Sequence, residues 1–270
     1  MQYKKTVTGT FLSRPNRFVA VVEIQGKEEV CHVKNTGRCR ELLIPGCTVI
    51  LSDSQWDASP ASGTDIPSTS EVSDSTGTPK GRRPSARKPA SRKTRYDLIA
   101  VYKGDLLINM DSQAPNAAAG EWLAAGGLFA LPQAQEAHLG NRLLSLRPET
   151  VYGSSRFDFF LETDTCQMFL EVKGVTLEEQ GVLKFPDAPT ERGIKHLTEL
   201  SACIKEGYRA GVLFVIQMED ALYFTPNAQT HPAFAQALTD AREKGVLLFA
   251  MNCTVAPDRM DILAPVPIQL

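Results

Sequence analysis

The sequence lacks any apolar run that approaches the roughly 20 residues of a membrane-spanning helix. Its first residues, Met1 to Lys5, lead into a strand-like segment and lack the apolar stretch of a secretory signal. We therefore expect a cytoplasmic protein without a membrane partner.

Cysteine is scarce, and none of the six cysteines forms a C-x-x-C pair. In a cytoplasmic chain such cysteines are expected to be reduced thiols. Cys31, Cys39 and Cys47, with His32, do not have the spacing of the usual zinc sites. Neither a disulfide framework nor a structural zinc is expected.

A strong charge of either sign is also missing, since the formal net charge is −2. The distribution of charge is more informative. Residues 54–92 contain few large aliphatic side chains, so we expect a disordered low-complexity insertion. Its first half is acidic and its second half is basic. It is either an inert solubilising insertion or a basic arm that contacts phosphates.

The N-terminal part reads as short strands separated by turns at Gln25-Gly26, Pro45-Gly46 and Lys103-Gly104. Five or so such strands fit a small closed barrel of the OB type, which binds nucleic acids through one face and its loops. The candidate nucleic-acid contacts are the polar and basic loop residues Arg14, Asn16, Arg17, Lys34 and Arg38. The alternative is an ordinary solvated loop. Arg17 and Phe18 together suit stacking on a base, although Phe18 fits a core position equally well.

The most informative segment is a predicted hairpin with a turn at Asp164-Thr165. Glu171 and Lys173 share a face of the second strand, because side chains alternate along a strand. Residues opposite each other across this turn sum to 329, which places Asp158 across from Glu171 with Cβ atoms about 5 Å apart. We expect Asp158 to share its face with Arg156 and Phe160.

Two facing carboxylates destabilise a sheet unless something binds them. A bound Mg²⁺ or Mn²⁺ removes the conflict, because these ions take hard oxygen ligands together with water and phosphate. The pattern Asp, then Glu-x-Lys, predicts a PD-(D/E)-x-K nuclease site with Asp158, Glu171 and Lys173 as catalytic residues. Asp158 and Glu171 are the predicted metal ligands. The alternative is a Glu171–Lys173 ion pair at a sheet edge.

Residues around the hairpin add further candidates. Glu149, upstream on the preceding strand, is a third metal-ligand candidate or a surface side chain. Thr190 is the predicted N-cap of a following helix. Arg192 and Lys195 on that helix are candidates for phosphate contacts or plain helix surface, and His196 lies beside them.

The later segments complete a predicted order α-β-β-β-α-β, typical of a nuclease-like core. The continuous apolar run 210–218 predicts a central buried strand. A closing helix is expected over 231–244, and a last strand over 245–251. We expect a mixed α+β or α/β protein with an OB-like nucleic-acid-binding domain at 1–112 and a nuclease-like domain at 113–270.

Several motifs occur in order along the chain, outside the insertion. They are RPNRF (14–18), CHVKNTGR (31–38), YDLIAV (96–101), NMDSQAPN (109–116), YGSSR (152–156) and the run from GVTLE (174–178) to GIKHL (193–197). This series closely resembles the bacterial sugar fermentation stimulation protein A family. The resemblance implies a DNA-binding protein with an OB-like barrel, a restriction-endonuclease-like domain and a regulatory role in sugar (maltose) metabolism.

Two functions are favoured at this point over a third, an interaction module with no nucleic-acid role. The first is a DNA-binding protein with a metal-dependent phosphodiesterase site, using Mg²⁺ or Mn²⁺. The second is a DNA-binding regulator that keeps the nuclease fold without cutting. Non-specific DNA is the expected partner in both, and the sequence leaves the oligomeric state open.

Overall fold

The computed structural model describes residues 1–35, 37–54 and 94–270. Apart from Ser54, the predicted insertion at 54–92 lies outside the described residues, and so does the predicted basic arm. The described part of the chain forms a barrel followed by a mixed sheet with helices on both faces.

Six strands form the N-terminal sheet. They are β1 (Thr6–Asn16), β2 (Val19–Ile24), β3 (Lys27–Val33), β4 (Thr48–Asp53), β5 (Tyr96–Lys103) and β6 (Leu106–Asn109). Their order is β3-β2-β1-β4-β5-β6, and an additional pairing of β3 with β5 closes five of them into a barrel. This is the predicted OB-like fold.

Local sequence explains how the first strands pair. Gln25 and Gly26 both have positive φ angles, 53° and 76°, so they form the tight turn between β2 and β3. Alternating side chains of these strands, among them Ala20, Val22 and Cys31, are fully buried in the barrel. The predicted turn and strand pattern are therefore present.

The C-terminal part is a six-stranded mixed sheet in the order β15-β14-β12-β9-β8-β7. Its strands are β7 (Leu143–Tyr152), β8 (Ser155–Thr163), β9 (Gln167–Val175), β12 (Arg209–Ile216), β14 (Leu247–Ala256) and β15 (Arg259–Pro265). The helices are α1 (Ala114–Ala124), α2 (Pro132–Glu136), α3 (Glu191–Lys205) and α4 (Pro232–Glu243), with a 3-10 helix at Gly127–Ala130.

The sheet is covered on both faces. Helix α1 packs on one face, in a core cluster with Phe159, Leu170 and Val172. Helices α3 and α4 pack on the other face, in a cluster that is continuous with the barrel core. Strand β12 runs parallel to both β9 and β14, which confirms the central buried strand.

Two predictions about the strands are incomplete or wrong. The strand expected at 245–251 is not the last, because β14 continues to Ala256 and pairs with β15. A small sheet of β10 (Leu177–Glu179), β11 (Val182–Phe185) and β13 (Tyr223–Pro226) was not predicted. These strands are only three or four residues long, too short for a clear alternation of apolar and polar side chains.

The two parts of the chain are joined closely. The predicted boundary between residues 112 and 113 falls in the connection from β6 to α1. The N-terminal amine lies 2.7 Å from Glu121 of α1 and 3.1 Å from Asp261 of β15, so the first residues cross to the C-terminal part. No helix among the described residues is long and apolar enough to cross a membrane.

Candidate functional site

The β8–β9 hairpin has the predicted register. Phe159 pairs with Leu170, and Leu161 pairs with Met168. The turn is closed by the Thr163 N–H, which donates to the Cys166 carbonyl at 2.9 Å. The ladder ends at Phe159, one residue short of Asp158, so the strands begin to separate where the candidate carboxylates lie.

The Asp158 side chain contacts β9 where the backbone ladder has ended. Its Oδ2 accepts the Val172 N–H at 2.7 Å, and its Oδ1 accepts from Asn116 Nδ2 of α1 at 2.7 Å. The side chain therefore reaches towards the α1 face, whereas Phe160 packs in the α3-side cluster with Phe169. The expectation that Asp158 shares a face with Phe160 is wrong, because strict alternation does not hold once the ladder has ended.

Glu171 is held from the opposite side of the sheet. It is 4% exposed, and its Oε1 lies 2.6 Å from Nδ1 of His196 on α3. The Lys173 ammonium donates to the same oxygen. The Arg192 Nε–H points at Nε2 of His196 at 3.3 Å. Because a guanidinium can only donate, Nε2 is the acceptor, and Nδ1 carries the proton given to Glu171.

The two carboxylates differ in their electrostatic surroundings. Burial raises the pKa of Asp158, and the nearby charge of Glu171 raises it further, against the opposing hydrogen bonds from Val172 and Asn116. Burial also acts on Glu171, but the His196 hydrogen bond and the Lys173 charge outweigh it and hold its pKa below the ordinary value. Glu171 is therefore the carboxylate that stays ionised more readily.

A Glu171–Lys173 ion pair exists, but the predicted alternative of a pair at a sheet edge is wrong. Strand β9 lies inside the sheet, between β12 and β8. The pair is also largely buried, with side-chain exposures of 5% for Glu171 and 17% for Lys173. Removing such charges from water is costly, so this is not an ordinary surface salt bridge.

The donor set fits a divalent cation. Within the described ranges, no group of three or more His, Cys, Asp and Glu side chains is placed to hold a metal by itself. Mg²⁺ seldom needs one, because it usually takes one or two carboxylates together with waters and substrate phosphates. The buried Oε2 of Glu171 accepts no hydrogen bond from a described residue. A buried carboxylate oxygen is unfavourable without a partner, and a divalent cation is one partner that suits it.

Glu149 does not join the other two carboxylates. Its φ angle is 54°, and its carboxylate lies 2.9 Å from the guanidinium of Arg156. Both side chains are well exposed, at 60% and 59%. Its contacts are those of a surface residue on an edge strand, the second of the two predicted interpretations.

Two of the predicted nucleic-acid contacts, Arg14 and Lys34, have partners within the protein. Arg14 donates to the carbonyl oxygens of Arg38, Arg17, Asn35 and Gly37 at 2.5, 2.7, 2.9 and 2.9 Å. Lys34 pairs at 2.6 Å with Asp111, which is 1% exposed. The first fixes the loop after β3, and the second neutralises a buried charge beside α1.

The other barrel candidates face solvent. Asn16 Oδ1 accepts the Phe18 N–H at 2.9 Å, which shapes the turn between β1 and β2. The Arg17 guanidinium lies 5.1 Å from the centre of the Phe18 ring, and Phe18 is 46% exposed rather than part of the core. Arg38 is exposed in the same loop region. These side chains are accessible to a nucleic acid.

Helix α3 begins as predicted and presents the remaining candidates. Thr190 Oγ1 accepts the Gly193 N–H at 3.1 Å, which is N-cap geometry. Arg192 and Lys195 are both exposed; Lys195 donates to the Ser154 carbonyl at 3.0 Å. The helix therefore places two cations on the side of the sheet that holds Glu171.

Sequence reasoning missed the role of Asn116. Its side chain holds Asp158, yet it comes from a helix 42 residues earlier in the chain. Asn116 does belong to the motif at 109–116, but a motif does not show which way a side chain points. Its contact with Asp158 depends on how α1 packs on the sheet.

The fold and the site define a class: an OB barrel joined to a restriction-endonuclease-like domain with an Asp, Glu-x-Lys constellation. The family model described as "Sugar fermentation stimulation protein RE domain" matches residues 113–259, and "SfsA N-terminal OB domain" matches residues 12–60. The chain belongs to the sugar fermentation stimulation protein family.

Individual relatives agree with this assignment. A sugar fermentation stimulation protein homolog of Desulfitobacterium hafniense (strain DSM 10664 / DCB-2) is 47% identical over 97% of this chain and 95% of its own length. One from Clostridium beijerinckii is 45% identical over 97% and 96%. The structure of Pyrococcus furiosus SfsA in complex with Ca²⁺ shares the fold, with a TM-score of 0.73, 24% identity and coverage of 100% and 98%.

Proposed function

We propose that this chain is a DNA-binding protein with a metal-dependent phosphodiesterase site. The observation that supports the proposal most is the buried oxygen Oε2 of Glu171, which has no hydrogen-bond donor among the described residues. It lies in a cluster with Asp158 and Lys173, on two adjacent strands. Hard oxygen donors and an ammonium group suit a divalent cation and a phosphate.

Asp158 and Glu171 are the proposed ligands of Mg²⁺ or Mn²⁺. When bound, the cation supplies Lewis acidity towards a phosphoryl oxygen and lowers the pKa of a nearby water. The solved relative from Pyrococcus furiosus was obtained with Ca²⁺, another hard divalent cation. Lys173 is proposed to stabilise the negative charge that develops on the phosphate.

The protein residues prepare these groups. His196 keeps one oxygen of Glu171 hydrogen-bonded, so the carboxylate has a fixed orientation in the absence of the cation. Asn116 and the Val172 N–H do the same for Asp158. Groups held in advance need no reorganisation when a phosphate arrives, which is the main source of catalysis in such sites.

DNA is proposed to bind across a surface formed by exposed cations of the barrel loops and of α3, here named the DNA-binding face. Arg17 and Arg38 belong to the barrel loops, and Arg192 and Lys195 belong to α3. Contacts of this kind bind phosphates without reading the base sequence. We therefore propose non-specific DNA as the partner.

A second candidate is a regulator that binds DNA without cutting, linked to sugar (maltose) metabolism. It is favoured by the pairing of Lys173 with Glu171, which occupies the ammonium group. It also agrees with the names of the relatives, which refer to sugar fermentation and not to cleavage. Both candidates use the same fold and the same DNA-binding face.

Cleavage assays separate the two candidates. Purified protein is incubated with single-stranded, duplex and branched DNA, with Mg²⁺, with Mn²⁺ and with EDTA. The test variants are Lys173→Ala and Asp158→Asn. The matched controls are Lys205→Ala, an exposed lysine at the far end of α3, and Glu162→Gln, at the far end of β8.

Metal-dependent cleavage that is lost in both test variants and kept in both controls supports the phosphodiesterase. DNA binding measured in EDTA should remain in Lys173→Ala. If well-folded wild-type protein cuts none of the substrates with either metal, the phosphodiesterase proposal is wrong and the regulator is favoured.

A further inference from the structure

The junction between the barrel and the nuclease-like domain contains two cavities that share one residue. The first, about 150 Å³, is lined by Phe18, Lys34 and Ser112 among others. The second, about 170 Å³, is lined by Ser112, Gly174, Phe185 and Asp187 among others. Ser112 borders both, so the two cavities are neighbours, and together they are here named the junction groove.

The second cavity of the junction groove borders residues that are next to the candidate metal site in the sequence. Gly174 directly follows Lys173, and Pro115, which also lines the second cavity, directly precedes Asn116. A Cβ added at Gly174 would lie 2.5 Å from the Gln217 side chain and 2.7 Å from Pro115. Gln217 and Pro115 therefore pack directly against Gly174, at a position where no side chain would fit.

Phe18 lies at the other end. Its ring is 46% exposed, with the Arg17 guanidinium 5.1 Å from the ring centre. An exposed aromatic ring beside a cation can serve as a stacking platform for a base. In duplex DNA the base faces are already stacked, so Phe18 is accessible only to unpaired bases.

The second cavity can hold a base. Its volume of about 170 Å³ is below the roughly 300–1,000 Å³ of pockets for drug-sized ligands. Asp187 in its lining can accept hydrogen bonds from the N–H groups of a base, and Lys184 in the same lining adds a positive charge. Phe185 and Thr176 make the lining partly aromatic and partly polar.

We propose that the junction groove holds an unpaired DNA strand, with one base stacked on Phe18 and another in the cavity beside Gly174. The substrate class is then DNA with unpaired nucleotides, and intact duplex is a poorer ligand. The inference rests on the proposed function, since it specifies which DNA reaches the Asp158–Glu171 site. The exposed cations Arg17 and Arg38 contact the phosphates outside the groove.

Binding without metal tests the groove separately from the chemistry. A fluorescein-labelled oligonucleotide of mixed sequence is titrated in EDTA at one salt concentration, as a single strand and as a duplex, with fluorescence anisotropy as the readout. The test variants are Phe18→Ala and Ser112→Leu, which narrows the point shared by both cavities. Phe18→Tyr keeps the stacking ring, and Val30→Ala removes an exposed apolar side chain of the same barrel away from the groove.

Phe18→Ala should weaken single-strand binding about five-fold or more, from the loss of one stacked base. Ser112→Leu should also weaken it, duplex binding should stay unchanged, and Phe18→Tyr and Val30→Ala should match wild type. Thermal unfolding of each variant checks that it is folded.

Unchanged single-strand affinity in both test variants overturns the proposal, as does an equal loss for single strand and duplex. Wild-type protein that binds no DNA overturns both this inference and the proposed function. A selective loss of single-strand binding, together with absent cleavage in every metal, supports the groove and refutes only the phosphodiesterase.

Discussion

His196 on α3 donates its Nδ1–H to Glu171 on β9 across 2.6 Å, and the opposite ring nitrogen accepts from Arg192. The contact joins the helix that presents cations to the strand that presents the metal-ligand candidate. Because Arg192 determines which ring nitrogen is protonated, the orientation of Glu171 depends on α3 as well as on the sheet. Helix α3 is therefore part of the site.

Replacing His196 by Ala should destabilise the protein. Glu171 Oε1 would lose one of its two hydrogen bonds in a buried position, which corresponds to about 2 kcal/mol. Urea unfolding at neutral pH in EDTA measures the free energy of unfolding. His138→Asn is the control, because His138 is exposed and its φ of 53° is tolerated by Asn. Equal stability of the Ala variant and wild type would mean that the His196–Glu171 contact contributes nothing.

Arg14→Ala should reduce stability rather than DNA affinity. Its guanidinium donates to three carbonyl oxygens of the loop after β3 and to the Arg17 carbonyl in the turn between β1 and β2. Losing these charge-assisted hydrogen bonds should lower the free energy of unfolding by about 2–3 kcal/mol. Arg14→Lys should recover little, because an ammonium cannot reproduce the planar fork. Chemical denaturation measures the effect, and DNA binding is compared where each variant is folded.

Arg17→Ala is the matched comparison for this prediction, since Arg17 is an exposed arginine three residues after Arg14, in the turn between β1 and β2. It should leave stability unchanged and weaken DNA binding. The opposite pattern, with Arg14→Ala fully stable but deficient in DNA binding, would restore Arg14 as a nucleic-acid contact.

Lys103→Met should weaken the connection between barrel and nuclease-like domain at neutral pH. The Lys103 ammonium on β5 donates to the carbonyl of Glu178 at 2.8 Å and also pairs with its carboxylate. Loss of this partly exposed pair should lower the free energy of unfolding by about 1 kcal/mol. The double variant Lys103→Met with Glu178→Gln tests whether part of the lost free energy of unfolding comes from the Glu178 carboxylate, which has lost its ammonium partner in Lys103→Met alone.

The same pair predicts a pH dependence. Burial would raise the pKa of Glu178, but the Gly181 N–H and Lys103 outweigh it and hold the pKa below its ordinary value of 4.5. The contribution to stability is therefore complete above pH 4.5 and is lost as the pH falls through the lowered pKa. Unfolding curves at several acidic pH values should show that the free energy of unfolding falls less with decreasing pH in Lys103→Met than in wild type. An identical pH profile would contradict the pairing.

DNA binding should depend on salt through the exposed cations. Arg38→Ala, Arg192→Ala and Lys195→Ala should each reduce the slope of log affinity against log salt by about 1. Arg209→Ala is the control, because Arg209 is exposed at the opposite end of the sheet, where β12 pairs with Met168 of β9. If the slope of log affinity against log salt is unchanged in all three variants, DNA binds to another surface of the protein.

Features that depend on neighbouring residues could be predicted from the sequence. The hairpin register follows from period-2 alternation and a turn at Asp164-Thr165, and four ladder pairs have the expected sum. The start of α3 follows from Thr190, whose side chain bonds three residues ahead. The central strand β12 follows from an uninterrupted apolar run. In each case the decisive interactions are local or repeat regularly along the chain.

Partners of single polar side chains could not be predicted. Lys34 pairs with Asp111 from a distant segment, and Asn116 reaches Asp158 only because α1 packs on the sheet. The exposure of Phe18 could not be predicted either, because an aromatic residue at a strand end fits a core or a surface position. Each outcome depends on which elements meet in space.

The amino-acid sequence alone determined which chemical groups are available to this protein. They are two carboxylates and a lysine on a hairpin, followed by a helix that carries cations. Tertiary packing decided which of these groups meet. It placed His196 against Glu171, turned Arg14 and Lys34 towards structural partners, and left Phe18 beside an open groove. The physical reason is that local hydrogen bonds and alternation act over a few residues, whereas burial and charge pairing are settled only when distant segments come together.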